Sequence, residues 1–146
     1  MSNITRTALV GFSARQMFDL VDNIEAYPQF LPWCRSVNVR RTGELTVAEL
    51  SVGLKGLNQS FTTENRNVPG ESIDMRLVEG PFREFGAAWK FRALEAHAAK
   101  IEFSMRYEFS SGLLAKMLEP LFDHIADTMV DAFTRRAEVV YGASQG

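Results

Sequence analysis

Residues 101–109, Ile101-Glu102-Phe103-Ser104-Met105-Arg106-Tyr107-Glu108-Phe109, alternate strictly between apolar and polar side chains. A period of two predicts a β-strand that buries one face and exposes the other. From Leu113 onward the apolar period becomes helical, with a stripe made of Leu114, Met117, Leu118, Leu121, Phe122, Ile125, Met129, Phe133 and Ala137. A half-buried strand followed by a long amphipathic helix predicts that a sheet packs against this C-terminal helix.

The rest of the chain supplies further strands for the same sheet. Alternating segments bounded by turn residues predict strands over 3–10, 36–41, 46–54, 58–66, 72–79, 83–94 and 100–109. Ser13 and Gln16 predict a capping box at the start of a helix that ends near Asp22. The predicted fold class is therefore α+β: a seven-stranded antiparallel sheet curved around a long C-terminal helix, with one or two short helices after strand 1. Pro120 predicts either a kink in the long helix or a helix start near Glu119.

The segment Tyr27-Pro28-Gln29-Phe30-Leu31-Pro32-Trp33-Cys34 is rich in aromatic side chains and contains two prolines. Because each proline lacks a backbone donor and restricts the residue before it, we expect an irregular apolar corner that is neither helix nor strand. In an up-and-down meander this corner lies at the same end of the sheet as loops 54–57, 80–82 and 110–114. Four apolar loops at one end either close the core or surround an opening into it.

The composition limits the classes of function. A chain of 146 residues suits one domain, 1–146, and a formal net charge of −2 with a pI near 5.7 gives no general attraction for nucleic acids or anionic lipids. The single cysteine, Cys34, cannot form an internal disulfide and is predicted to be a small buried residue. Without a signal-type segment or a membrane-spanning stretch, we expect a cytoplasmic protein, with contact at the inner membrane face during any lipid loading.

Residue patterns for catalysis are weak. His97, His124 and Cys34 lack the spacing of a metal site, and the chain has no phosphate-binding glycine loop, nucleophile elbow or dinucleotide fingerprint. His124 beside the apolar stripe could act as a base in a cyclase-type reaction, although a surface histidine is the more common situation. We therefore expect no catalytic residue, no metal and no cofactor, and an enzyme is the third choice of function.

The corner at 27–34 is followed by Gly53-Leu54-Lys55-Gly56-Leu57, then by Gly80-Pro81-Phe82 with Gly86, Trp89 and Phe91, and finally by Phe133, Arg136, Ala137, Tyr141 and Gly142. This ordered set resembles the coenzyme Q-binding, START-like proteins of the polyketide cyclase and lipid-transport superfamily, over nearly the whole chain. The resemblance implies a helix-grip fold with a deep apolar cavity between the sheet and the C-terminal helix. It also implies two activities, ubiquinone binding and the RatA type of toxin that blocks ribosomal subunit association.

The first prediction is a non-catalytic binding protein for a long apolar ligand, ubiquinone or another polyprenyl quinone, acting as a carrier or chaperone in respiration or quinone biosynthesis. The predicted ligand-binding residues are Tyr27, Phe30, Leu31, Trp33, Leu54, Leu57, Phe82, Trp89, Phe91, Met105, Tyr107, Leu114, Met117, Leu121, Ile125 and Met129. Among them, Tyr27, Trp33 and Tyr107 could donate to quinone oxygens or could make structural hydrogen bonds. Leu54, Leu57 and Phe82 are predicted to surround the entrance and to touch a membrane.

The alternative prediction is a RatA-type toxin whose partner is the large ribosomal subunit, with no DNA partner in either case. Such a toxin would need a basic face on an acidic molecule. The candidates are Arg35, Arg40 and Arg41 near the second strand, and Arg135 and Arg136 on the last helix. Acidic residues are interspersed around all five, so the sequence favours a solvated face of mixed charge.

Overall fold

The computed structural model describes residues 2–145 and contains a seven-stranded antiparallel sheet. The strands are β1 (Ser2–Val10), β2 (Cys34–Thr42), β3 (Leu45–Leu54), β4 (Leu57–Val68), β5 (Ser72–Glu79), β6 (Phe82–Glu95) and β7 (Ala98–Phe109). Their order across the sheet is β1-β7-β6-β5-β4-β3-β2, so the last six strands form an up-and-down meander and β1 pairs with β7. The predicted α+β fold is confirmed.

Three helices and a 3₁₀ turn complete the fold: α1 (Ala14–Asp22), the 3₁₀ turn Ile24–Ala26, α2 (Tyr27–Phe30) and α3 (Gly112–Gln145). The predicted capping box is present at α1, because the backbone N–H of Gln16 donates to Ser13 Oγ at 3.0 Å and that of Ser13 donates to Gln16 Oε1 at 2.9 Å. No helix in the part of the chain described here is both long and apolar enough to cross a bilayer.

The prediction of a corner without helical structure is wrong for its first half. Tyr27–Phe30 forms one turn of helix with Pro28 in its first turn. Proline is tolerated there because the first backbone N–H groups of a helix have no partner within it. The corner becomes extended only from Leu31, and the N–H of Gly53 then donates to the carbonyl of Trp33 at 2.9 Å, which joins the corner to the end of β3.

The predicted helix start near Glu119 is also wrong. Helix α3 begins at Gly112 and continues through Pro120 to Gln145. Leu114 is half-buried, whereas Met117 has 47% of its surface exposed. Met117 precedes buried Leu118 by one residue, which places it about 100° around the helix from the packed face. The apolar stripe predicted from the sequence therefore includes one exposed residue, Met117, near its start.

The core lies between the inner face of the sheet and α3. Alternate residues of β6 and β7, including Trp89 and Phe103, meet Phe122 and Phe133 of the helix, and all four are at most 1% exposed. Two polar contacts join α3 to the edge of the sheet: Arg6 of β1 pairs with Asp127 at 2.6 Å, and the hydroxyl of Tyr107 donates to Asp123. The strand alternation seen in residues 101–109 thus determines which face carries the core.

Candidate functional site

A cavity of about 60 Å³ lies in the core between α3 and the inner face of the sheet. Its walls come from β3 to β7, the 27–34 corner and the middle of α3. The lining side chains are Ile24, Tyr27, Trp33, Leu50, Phe61, Thr63, Asn65, Met75, Phe85, Ala87, Trp89, Phe103, Met105, Phe122, Ile125 and Met129. All but two of them, Thr63 and Asn65, are apolar or aromatic.

The deep cavity implied by the family resemblance is not present in this structure. An apolar cavity that binds benzene has a volume of about 150 Å³, so about 60 Å³ has room for water but is small for a quinone ring. The reason is that aromatic side chains occupy the space between helix and sheet, as in the edge-on contact of Phe61 with Phe122 at 5.5 Å between ring centroids. Three flexible methionines, Met75, Met105 and Met129, are the parts of the wall most able to change shape.

The structure brings six of the predicted ligand-binding residues together around the cavity: Tyr27, Trp33, Trp89, Met105, Ile125 and Met129. Four others are buried in the surrounding core without lining it: Leu31, Phe91, Tyr107 and Leu121. Phe30 instead contacts Phe133 and faces an outer groove. Leu54, Leu57 and Leu114 are half-buried outside the cavity lining, and Met117 is exposed.

Phe82 does not stand at an open entrance. It is 7% exposed and packs among the rings of Phe61, Phe85, Phe109 and Phe122, each with a centroid separation of 5.0 to 6.1 Å. This aromatic cluster closes the end of the core under the 80–82 loop. A membrane contact by Phe82 would first require the cluster to open.

The two tyrosines predicted as ligand donors make structural hydrogen bonds. Tyr27 donates to the backbone carbonyl of Val21 at 2.6 Å, and Tyr107 donates to Asp123. Burial is the main cause that raises the pKa of both phenols, and the nearby carboxylates Asp22 and Asp123 raise it further. Both hydroxyls remain protonated and already donate to an acceptor within the protein, so neither is available to a ligand in this conformation.

Sequence reasoning missed the two polar residues of the cavity wall. Thr63 and Asn65 are 3% and 4% exposed, and the hydroxyl of Thr63 donates to Asn65 Oδ1 at 2.8 Å. The amide nitrogen of Asn65 has no acceptor among residues 2–145. A signal was available, because Phe61, Thr63 and Asn65 share one face of β4, and polar residues on the face that carries Phe61 are unexpected in a plain core.

A second, open concavity of about 340 Å³ runs along the outside of the corner, between α2 and α3. It is lined by Phe30, Pro32, Trp33, His124, Thr128, Ala132, Arg135, Arg136 and Val139. Arg136 lies over the ring of Phe30 at 4.9 Å, and Arg135 pairs with Asp131 one turn earlier in α3. His124 is exposed in this groove, far from the enclosed space that a catalytic base would need.

The arginines predicted as a basic cluster are separated by the pleat of β2. Arg40 lies on the outer face, while Arg41 turns inward and pairs with Asp22 at 3.2 Å and Glu25 at 2.9 Å. The hydrogen bond from Arg41 lowers the pKa of Glu25. Asn67 also donates to Asp22 at 2.6 Å, so this network ties the end of α1 to β2 and β4. Within residues 2–145, no group of His, Cys, Asp or Glu side chains is arranged to hold a metal ion.

Comparison with known proteins agrees with this architecture. A family model described as polyketide cyclase / dehydrase and lipid transport matches residues 10–134. The chain belongs to this family. A similar fold is found in the Zhui aromatase/cyclase of a Streptomyces species: the TM-score is 0.82 at 17% identity, over 94% of this chain and 93% of that one.

Relatives of the chain include RatA toxins and a coenzyme Q-binding protein. "Ribosome association toxin RatA" of Pseudomonas aeruginosa is 45% identical over 97% of this chain and 99% of its own length, and the protein of the same name from Escherichia coli is 41% identical over 98% and 91%. "Coenzyme Q-binding protein COQ10 homolog B, mitochondrial" of Xenopus laevis is 27% identical over 97% of this chain and 60% of its own length. The sequence resemblance to both branches is thus confirmed.

Proposed function

We propose that this chain acts on ribosome association, as the RatA name says of its relatives. The observation that carries the proposal is the 41–45% identity to RatA proteins over almost the full length of both chains. This reverses the order of our two predictions from sequence. The size of the cavity supports the reversal, because about 60 Å³ leaves no room for a quinone without rearrangement of the core. A binding role of this kind needs no catalytic group.

A subunit association assay tests this function directly. Purified protein is added to separated small and large ribosomal subunits, which are then shifted to a Mg²⁺ concentration that promotes joining and analysed on sucrose gradients. We expect fewer joined ribosomes, more free subunits, and the protein sedimenting with the large subunit.

The control in that assay is the same amount of protein added after the subunits have joined, since a blocker of association acts on free subunits. Unchanged joining at a large molar excess of protein, together with no protein in any ribosomal fraction, would rule the function out. The measurement does not depend on whether the cavity holds a ligand.

A second candidate function is the binding of an apolar ligand that carries one hydrogen-bond acceptor. The observation that favours it is the unused amide donor of Asn65 in a wall that is otherwise apolar apart from Thr63. A carbonyl oxygen of a ligand that accepts a hydrogen bond from this donor would add to the free energy of binding. The register of the β4–β5 pair also shifts between Thr62 and Thr63, beside this donor, and such irregularities are common next to binding sites.

The intrinsic fluorescence of the protein tests this second function. The chain has two tryptophans, Trp33 and Trp89, and both line the cavity. A short-tailed benzoquinone can enter only if flexible wall residues such as Met75, Met105 and Met129 move, and its titration should then quench the emission to a saturable end point. Asn65→Leu should weaken binding about tenfold, the loss of one hydrogen bond. An aliphatic hydrocarbon of equal length should bind the native protein and Asn65→Leu alike. Absence of saturable quenching by the quinone would remove this candidate and leave the ribosomal one intact.

A further inference from the structure

The outer face of the sheet, opposite α3, carries an ordered set of cations. One row of cross-strand neighbours crosses all seven strands: Asn3, Arg106, Gly86, Arg76, Glu64, Val47 and Arg40. With strands about 4.8 Å apart, this row is roughly 29 Å long. Four more cations lie on the same face, toward the end that carries the β6–β7 turn. We call the seven together the outer basic patch: Arg40, Arg66, Arg76, Lys90, Arg92, Lys100 and Arg106.

The charges of this patch are mostly uncompensated. All seven cations are exposed, and four acidic residues lie among them or beside them at the β6–β7 turn: Glu64, Asp74, Glu95 and Glu102. Only Arg76 forms an ion pair with another residue of the described chain, through Glu64. Four other outward carboxylates, Glu49, Glu79, Glu84 and Glu108, lie toward the opposite end of the strands. A chain with a net charge of −2 therefore concentrates positive charge on one half of one face.

One contact within the patch works against folding. Arg92 of β6 and Lys100 of β7 lie directly opposite each other in the sheet. Like charges in directly opposed positions destabilise a strand pair. Gly86 is a second feature of the patch that involves a cation. The guanidinium of Arg106 lies 3.3–3.4 Å from the position that a Cβ at Gly86 would occupy. The missing side chain lets Arg106 lie across the sheet. Both features are explained if these cations serve a partner.

The neutral residues of the patch favour RNA over a lipid surface as that partner. Beside Arg106 a shallow depression of about 230 Å³ includes Asn3, Gly86, Ala88 and Ser104, with Asp74 on its wall. The amide of Asn3 and the hydroxyl of Ser104 can donate to phosphate and sugar oxygens, and the small side chains of Gly86 and Ala88 offer no apolar wedge for a bilayer. Five of the seven cations are arginines, whose planar fork matches a phosphate group better than an ammonium does.

We propose that the outer basic patch binds the phosphate backbone of ribosomal RNA on the large subunit. This inference rests on the proposed function and specifies the surface that carries it. The outer groove of α3 takes no part, since its two arginines are already engaged: Arg135 pairs with Asp131, and Arg136 lies over the ring of Phe30. The cavity takes no part because its lining is almost entirely apolar. The patch binds RNA by charge and shape, without reading a base sequence.

Two variants with equal net charge test the inference. The patch variant carries Lys90→Gln, Arg92→Gln, Lys100→Gln and Arg106→Gln, and the control variant carries Arg15→Gln, Lys55→Gln, Lys116→Gln and Arg135→Gln, all at exposed positions off the patch. Binding to isolated large subunits is measured at several salt concentrations. We expect the patch variant to bind at least tenfold more weakly, with the slope of log K against log salt smaller in magnitude by roughly 3 to 4, because each of four lost phosphate contacts removes roughly 0.7–0.9 from it. The control variant should retain the native slope.

Each other outcome has a distinct meaning. Equal weakening by both variants would reveal a dependence on net charge alone and overturn the inference. Native-like binding by the patch variant would overturn it while leaving the proposed function in place, whereas failure of the native protein to bind subunits would reject both. Binding to phosphatidylglycerol vesicles is measured in parallel, because it distinguishes lipid phosphate from RNA phosphate. Patch-dependent binding to vesicles without binding to ribosomal RNA would replace RNA with a membrane and overturn the inference.

Discussion

The hydroxyl of Thr63 donates a 2.8 Å hydrogen bond to the side-chain oxygen of Asn65, two residues along the inner face of β4. Both side chains are almost completely buried against aromatic rings and methionines. Buried polar groups stabilise a fold only while they are paired, and a partly paired group costs free energy. This pair therefore adds little to folding and is the part of the cavity most directly suited to selecting a ligand.

We predict a strongly non-additive effect on stability at this pair. Thr63→Val and Asn65→Leu each leave the other polar group unpaired, so each should lower the free energy of unfolding by about 1–3 kcal/mol. The double variant removes both groups and should lie within about 1 kcal/mol of the native protein. Urea unfolding of the four proteins measures the coupling. Thr5→Val, at an exposed site of β1, controls for the change of side chain, and additive losses would mean that the hydrogen bond does not form.

The buried tyrosines predict a loss of stability in alkali. Because the pKa values of Tyr27 and Tyr107 are raised on folding, the folded state holds these protons more tightly than the unfolded chain, where a tyrosine titrates near 10. Their contribution is complete below about pH 10 and is lost progressively as the pH rises toward the folded pKa values.

Tyr107→Phe tests this linkage. At pH 7 it should cost about 1–3 kcal/mol, since Asp123 loses a hydrogen bond to a charged group. Between pH 10 and 11.5 its unfolding free energy should fall less steeply than that of the native protein, so that the two curves approach each other. Chemical unfolding at a series of pH values gives both quantities. Parallel curves would show that Tyr107 titrates normally.

The sequence predicted the sheet, its pairing order and the long helix, because alternation in β7 and the helical stripe of α3 are local patterns with a single simple packing solution. It did not predict how full the interior is. Whether Phe61, Phe85 and Phe122 surround a cavity or fill it depends on rotamers and on the helix-to-sheet distance, which no local pattern encodes. Likewise, the outer basic patch joins residues of five strands, whereas the linear cluster of Arg40 and Arg41 is divided between two faces.

Cys34 is predicted to be chemically inert in the folded protein. Its side chain is 5% exposed, and burial raises the pKa of the thiol to about 11. Since the thiolate is the reactive form, roughly one molecule in a thousand is reactive at pH 8 before access is considered. Iodoacetamide labelling followed by mass spectrometry should be slow in buffer and rapid in guanidinium chloride. Equal rates in both conditions would contradict burial of the thiol.

Pro120 is predicted to weaken α3. Because proline has no N–H, the carbonyl of Lys116 lacks the partner that the helix would normally supply, although α3 continues through this position. Pro120 is exposed, so Pro120→Ala restores the donor without altering the core and should stabilise the protein by about 1–3 kcal/mol. For a domain of this size that is a rise in melting temperature of roughly 2–4 °C per kcal/mol. Glu119→Ala, at the adjacent exposed position, should change the melting temperature far less. A lower melting temperature for Pro120→Ala would mean that the packing of α3 on the sheet requires a bend that proline provides.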